Sequence, residues 1–91
     1  IGGATANAVG DRLKRLSDSA QILVVTHSPQ VAACGDSQYQ ISKGDKGNIT
    51  RTSVRQLGNS ERREEIARML AGEEITDAAR AAADQLLQNG L

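Results

Sequence analysis

The sequence predicts an α/β fold, and three patterns in its 91 residues indicate that class. A short uninterrupted apolar run at residues 21–26 is typical of a strand covered on both faces, as in parallel sheets flanked by helices. Two weakly alternating segments joined by a glycine-rich turn predict an antiparallel hairpin. Apolar residues that recur at three- and four-residue steps predict helices on either side of these strands.

The first predicted helix covers residues 5–16. Four apolar residues share one stripe of it: Ala6, Val9, Leu13 and Leu16. Gly10 lies within this helix, and its missing side chain lets another element come close. The helix would be the right-handed crossover from an earlier parallel strand to the strand at 21–26, and that earlier strand would end just before Ile1.

A short helix and the hairpin come next. Pro29 opens the helix over residues 30–34, because its fixed φ suits the first helical position. The two hairpin strands are predicted at residues 38–43 and 48–55, on either side of a turn at 44–47. Both strands alternate weakly, so we expect them to be half exposed.

Two helices close the predicted fold. The first begins at an N-cap on Asn59 or Ser60 and stops at Gly72. Thr76 caps the second, which is rich in alanine and ends near Gly90. Together they bury five large side chains: Ile66, Met69, Leu70, Leu86 and Leu87. The alanines at 78–83 favour close packing between helices and a high helix propensity.

The composition indicates one small domain with a limited core. Only 20 of the 91 residues are Leu, Ile, Val or Met. The 11 basic and 11 acidic residues cancel, and the absence of a basic tract argues against direct DNA binding by this chain. A modest basic surface remains an alternative, formed by Arg51, Arg55, Arg62 and Arg63. The single cysteine excludes an internal disulfide, and no apolar run has membrane-spanning length, so we expect an intracellular protein.

His27 is the candidate functional residue, because it is the only histidine and directly follows the predicted buried strand. Ligands of open α/β sheets bind beyond the carboxyl ends of the strands. An imidazole there can donate a hydrogen bond to a phosphate oxygen or carry a proton near neutral pH. The alternative is a histidine at a strand end that is satisfied by a local carbonyl.

The most specific stretch of sequence surrounds His27 and reads Val-Thr-His-Ser-Pro-Gln-Val-Ala-Ala over residues 25–33. It resembles the switch-histidine segment of the RecN family of SMC-like, ABC-type ATPases. The resemblance continues through residues 34–36, 39–43 and 64–72, and so extends over essentially the whole chain. It implies that residues 1–91 form the C-terminal segment of a P-loop ATPase head. It also implies that His27 reaches the γ-phosphate of ATP held between two heads.

The Ile-Gly-Gly turn at residues 1–3 fits the same resemblance. In this family such a turn follows the Walker B strand and corresponds to the D-loop, which contacts the opposite head across ATP. The resemblance therefore implies nucleotide-binding roles for Gly2 and Gly3. Without it, two glycines before a helix suit any anion or any tight turn.

Several ATPase motifs are missing from the sequence. No Gly-x-x-x-x-Gly-Lys-Ser/Thr loop occurs to cradle phosphates, no acidic pair closes a strand, and no Ser-Gly-Gly signature segment is present. The chain can therefore contribute to ATP hydrolysis but cannot perform it alone. ATP and Mg²⁺ would belong to the complete head, and neither is expected on the isolated chain.

The resemblance also implies partners and a role. The partners would be the remainder of the head, a second head in an ATP-dependent dimer, and DNA engaged through the complete protein. The role would be recombinational repair of double-strand breaks in the nucleoid-containing bacterial cytoplasm. A hypothesis of another class makes the chain a stand-alone, non-catalytic binding or regulatory module that retains the shape of an ATPase ending.

The sequence gives little support for two other kinds of site, a cysteine nucleophile and a metal site. Cys34 lies seven residues after His27, but nothing in the sequence supplies a third orienting group or an oxyanion site for a cysteine nucleophile. A metal site would need at least two more ligands from unclustered carboxylates, whereas structural zinc wants four close N or S donors. A lone cysteine is most often a small buried hydrophobe.

Overall fold

A computed structural model describes residues 2–47 and 49–89, which form four helices and a two-stranded antiparallel sheet. The helices are α1 (Gly3–Leu16), α2 (Pro29–Ala33), α3 (Asn59–Ala71) and α4 (Asp77–Asn89), and the strands are β1 (Tyr39–Lys46) and β2 (Ile49–Gln56). The predicted α/β class and order of helices and hairpin are confirmed. Three predicted boundary residues lie outside the described residues: Ile1, Asn48 and Gly90.

The predicted buried strand at residues 21–26 is wrong for this structure. The segment has no regular secondary structure, and Leu23 and Val25 are 88% and 81% exposed. A strand buried on both faces needs neighbouring strands, and the sheet of the described residues contains only β1 and β2. The apolar run is therefore left in contact with solvent.

The core lies between α2, α3 and α4. Ile66 is fully buried there, together with four alanines: Ala33, Ala67, Ala79 and Ala83. The other predicted core residues, Met69, Leu70, Leu86 and Leu87, are partly buried against this cluster. The alanines face one another at helical spacing, so α3 and α4 can approach closely, as predicted.

The ends of α3 and α4 have identifiable caps. The predicted N-cap of α3 at Asn59 or Ser60 is wrong by one residue or more, because Gly58 is the N-cap and its N–H donates to Glu61 Oε1 at 3.2 Å. Gly72 ends α3 with a φ of 84°, a conformation that favours glycine. Thr76 caps α4 as predicted, since its Oγ1 accepts the Ala79 N–H at 3.1 Å.

The charged residues of α3 join the two closing helices, besides lying on a solvated face. Arg63 donates two hydrogen bonds to the Asp84 carboxylate, at 2.7 and 3.0 Å, and lowers the pKa of that carboxyl. Glu64 accepts from Arg80 at 3.1 Å. These pairs help to fix the position of α3 along α4, although exposed ion pairs contribute little to the free energy of unfolding.

Among the helices and strands of the described chain, α1 contacts only α2, and it also contacts Cys34 just after that helix. Its buried positions are Ala6 and Gly10. A Cβ built on Gly10 would lie 2.7 Å from Cys34 Sγ, so glycine is what allows the close approach predicted for this position. Two residues of the predicted apolar stripe are exposed, Val9 at 39% and Leu16 at 55%.

The hairpin projects from the helices and is held at its base by polar contacts. The predicted turn is shorter than expected, because Gly44 pairs with Arg51 and the strands continue to the pair between Lys46 and Ile49. Gly47 begins the turn with a φ of 69°. At the base, the Leu57 N–H donates to Gln38 O at 2.9 Å, and Gln40 Nε2 donates to Glu65 Oε2 at 3.0 Å. 

Within residues 2–47 and 49–89, the helices are too short and too polar for any of them to cross a bilayer.

Candidate functional site

His27 lies in an exposed bend between the irregular apolar segment and α2. The bend is ordered by its two neighbours, since the Ser28 N–H donates to Thr26 Oγ1 at 3.0 Å. His27 is exposed to solvent and is not part of the core. A side chain in this position is free to meet a ligand or a second protein surface.

Ser28 fixes the start of α2, one residue after His27. Its backbone is extended, with φ −87° and ψ 119°, and its Oγ accepts the Val31 N–H at 3.3 Å. Pro29 occupies the first turn, as predicted. The same hydroxyl donates to Gln30 Oε1 at 3.1 Å. The loop that carries His27 is therefore tied directly to a helix end.

The two candidate glycines lie at the start of α1. Gly2 is the N-cap, with φ −68° and ψ 161°, and no side chain of the described residues caps this helix. A Cβ built on Gly3 would lie 3.8 Å from Gln30 Nε2, so the backbone of Gly3 faces the first turn of α2. The start of α1 therefore neighbours the first turn of α2, which begins two residues after His27.

The C-terminal end of α2 is held by Arg62, which extends from α3. Its guanidinium donates hydrogen bonds to backbone carbonyls of Ala32, Ala33 and Gly35. In the sequence, Arg62 is a candidate only for a charged or basic surface. No sequence signal identifies its contact with α2, because its acceptors there are backbone carbonyls.

Three of the four arginines that could form a basic surface make contacts within the chain instead. Arg55 pairs with Glu61, Arg63 pairs with Asp84, and Arg62 contacts the carbonyls of α2. Arg51 lies on the exposed hairpin strand β2. The described residues therefore present no clustered set of free cations from this group for a phosphate backbone.

Cys34 is poorly suited to act as a nucleophile. Its Sγ donates to Gln30 O at 3.3 Å, and partial burial raises the pKa of the thiol, with a further contribution from Asp11. Nearby Lys14 and Arg62 act in the opposite direction with smaller effect. A raised pKa disfavours the reactive thiolate. Across the described part of the chain, no group of three or more His, Cys, Asp or Glu side chains could hold a metal ion.

Comparison with known proteins identifies relatives over nearly the whole chain. It is 49% identical over 88 residues to the DNA repair protein RecN of Streptomyces coelicolor and 50% identical over 88 residues to that of Xylella fastidiosa. These matches cover 97% of this chain. The RecN of Vibrio cholerae is 44% identical over 87 residues, or 96% of the chain.

The chain matches the C-terminal part of these relatives and spans 15% to 16% of their length. No family model matches it. The matched regions leave out only three or four of the 91 residues, so they extend over the helices, the hairpin and the His27 loop.

Proposed function

This chain belongs to the RecN family of DNA repair proteins, and from this we propose that it forms the C-terminal part of an ATPase head that acts in DNA repair. Its contribution is one rim of the nucleotide site. His27 is the switch histidine, and Gly2 and Gly3 belong to the D-loop. The observation that carries the proposal is the exposed His27, on a loop that Thr26 and the Ser28 cap hold at the start of α2.

The geometry supports a binding role for this rim. His27 is exposed, and the hydrogen bond from the Ser28 N–H to Thr26 Oγ1 holds the loop that carries it, so a ligand could reach the imidazole on an ordered loop. Donors that are fixed before the reaction stabilise developing charge without reorganisation. The His27 imidazole would donate a hydrogen bond to the γ-phosphate of ATP, and the amides at the start of α1 would face the opposite head.

The remaining parts of the site must come from the rest of the head. The chain lacks the loop that cradles phosphates, and its described residues hold no metal-binding cluster for Mg²⁺. The chain alone is therefore not competent for hydrolysis.

The exposed apolar run favours this proposal over a stand-alone module. Leu23 and Val25 would lose their contact with water if residues 21–26 joined a sheet supplied by the rest of the head. In that sheet His27 would stand at the carboxyl end of a strand. The complete protein would join two heads through ATP, release them on hydrolysis and engage DNA through its other regions, during recombinational repair of double-strand breaks in the bacterial cytoplasm.

The test is the replacement of His27 in a complete RecN protein that contains this segment. We expect His27→Ala to reduce kcat for ATP by about 10²-fold or more, the usual loss when a transition-state donor is removed. His27→Gln, which keeps a side-chain N–H donor, should lose less. Steady-state ATPase assays of both variants measure the difference.

The matched control is Lys43→Ala, which removes an exposed polar side chain on β1 and should leave turnover unchanged. Equal thermal unfolding of all variants would show that the loss is local. Wild-type turnover in His27→Ala would contradict the assignment of the switch histidine.

A further inference from the structure

Arg62 joins α3 to both α2 and the hairpin base through one guanidinium. Its Nη2 lies 2.6 Å from Gly35 O, 3.1 Å from Ala32 O and 3.3 Å from Ala33 O. Its Nε donates to Gln38 Oε1 at 3.1 Å. Four acceptors from two segments of chain therefore converge on one side chain.

Three of these acceptors lie at or just beyond the C-terminal end of α2: Ala32 O, Ala33 O and Gly35 O. Ala32 O also accepts the Gly35 N–H at 3.2 Å, and a cation at this end complements the partial negative charge of the carbonyls. Arg62 is half-buried, and burial lowers its pKa while nearby Asp36 opposes that change. An arginine remains protonated over the physiological range, so the contact is a charge-assisted hydrogen bond.

The two ends of α2 have separate anchors, and His27 lies two residues before the helix. At the N-terminal end, Ser28 caps the helix immediately after His27. At the C-terminal end, Arg62 donates hydrogen bonds to the backbone carbonyls of Ala32, Ala33 and Gly35. A five-residue helix is only about 8 Å long, so a shift at one end is transmitted to the other.

We propose that Arg62 is a positioning residue for His27, which it places by holding the C-terminal carbonyls of α2 against α3. This inference rests on the proposed role of His27 as the switch histidine. Arg62 itself touches neither nucleotide nor metal in this arrangement. Its effect on turnover would pass through the position of the His27 loop.

Arg63 provides a matched control on the same helix. It is also an arginine with two charged hydrogen bonds, but its partner is Asp84 on α4. Arg63→Gln therefore disturbs the α3 and α4 pair without removing a contact to α2. Arg62→Gln removes the contacts to α2, and Arg62→Lys keeps the charge but not the branched donor geometry.

The first measurement is hydrogen exchange of backbone amides in the complete RecN protein without nucleotide. We expect Arg62→Gln to speed exchange in peptides covering residues 26–35 by about tenfold, with a smaller effect in Arg62→Lys. Exchange over α4 should not change. Arg63→Gln should leave residues 26–35 as in the wild type. Unchanged exchange of residues 26–35 in both Arg62 variants would overturn the inference.

The second measurement is a double-mutant cycle with His27→Ala, read as ATP turnover. Arg62→Gln alone should lower kcat by about 10- to 100-fold, the loss expected from a misplaced catalytic group, while KM for ATP changes by less than about twofold. Added to His27→Ala, it should lower turnover by less than about twofold, because both changes act through the same group. Arg62→Lys should recover part of the loss.

The outcomes separate the two proposals. If Arg62→Gln lowers turnover by the same factor with and without His27, Arg62 acts independently of the histidine and the inference fails, while the role of His27 stands. If His27→Ala alone has wild-type turnover, the proposed function itself fails. Loss of folding in Arg62→Gln is identified by unfolding curves, and Arg62→Lys then carries the same comparison.

Discussion

At the scale of single residues, stability depends heavily on Ile66. It is the one large side chain that is fully buried among the described residues, and its neighbours in the core cluster are alanines. Alanine contributes little apolar area, so Ile66 is the main fully buried apolar side chain of this cluster, against which larger side chains such as Leu86 and Leu87 are partly buried.

Replacement of Ile66 by alanine should lower the free energy of unfolding by about 2–5 kcal/mol, through lost burial and the cavity left behind. Urea unfolding followed by circular dichroism measures the change. Val54→Ala is the control, because Val54 is 64% exposed on β2 and its truncation should cost less than about 0.5 kcal/mol. Similar costs for the two variants would contradict this account of the core.

At the scale of elements, the contact between α1 and α2 depends on a missing side chain. Gly10 faces Cys34, and a Cβ there would also approach Gln30 O at 3.4 Å. In a helix interior, alanine is favoured over glycine by about 1 kcal/mol, but overpacking costs about 1–3 kcal/mol. We expect the overpacking to win, since the approach to Sγ is shorter than van der Waals contact.

Gly10→Ala should therefore destabilise the chain by up to about 2 kcal/mol. Combined with Cys34→Ala, which removes the sulfur, the same substitution should cost less than about 0.5 kcal/mol. Denaturant midpoints of the four proteins of the cycle measure the coupling. Gly44→Ala is the control, because a Cβ at Gly44 meets nothing within 4 Å. Additive effects of the two changes would rule out this contact.

The elements that the sequence predicts well are those determined by local signals. Thr76, Gly72 and Pro29 mark helix ends through backbone chemistry that acts within one turn, and the structure has each of them in that role. Residues 21–26 were predicted wrongly because a buried strand is determined by its neighbours in a sheet, and local propensity cannot provide them.

For the candidate site, the resemblance over residues 25–33 is what proposes His27 and the turn that follows it. It does not identify Arg62, whose partners are backbone carbonyls of Ala32, Ala33 and Gly35, some 27 to 30 residues earlier. A backbone carbonyl has no side-chain signature. Contacts of this kind become visible only when the packing of α3 on α2 is known.

At the scale of the whole molecule, the surface carries more large apolar residues than a small domain usually exposes in one segment. The exposed set in residues 21–26 comprises Ile22, Leu23, Val24 and Val25. The hairpin adds Tyr39, Ile41, Ile49 and Val54. The proposed head would cover residues 21–26 with neighbouring strands.

Leu23→Asp should therefore act differently in the isolated chain and in the complete RecN protein. In the isolated chain it should reduce self-association, measured by sedimentation, because it breaks an exposed apolar run. In the complete RecN protein it should abolish ATP turnover, since an unpaired charge in a buried strand costs about 3–5 kcal/mol. Ser53→Asp, on the exposed strand β2, should change neither. Normal turnover of the complete protein with Leu23→Asp would exclude burial of this segment in a sheet.

The five residues of α2 contact α1, α3 and α4, whereas α1 contacts no other element of the described chain. Helix α1 on one side and the α3 and α4 pair on the other are thus connected through α2, so the rigidity of their arrangement depends on how firmly α2 is held. A displacement of α1 by a bound partner would be transmitted to α3 and α4 through the packing of α2, which begins two residues after His27. The helix that links α1 to the other helices is therefore also the helix that follows the candidate site.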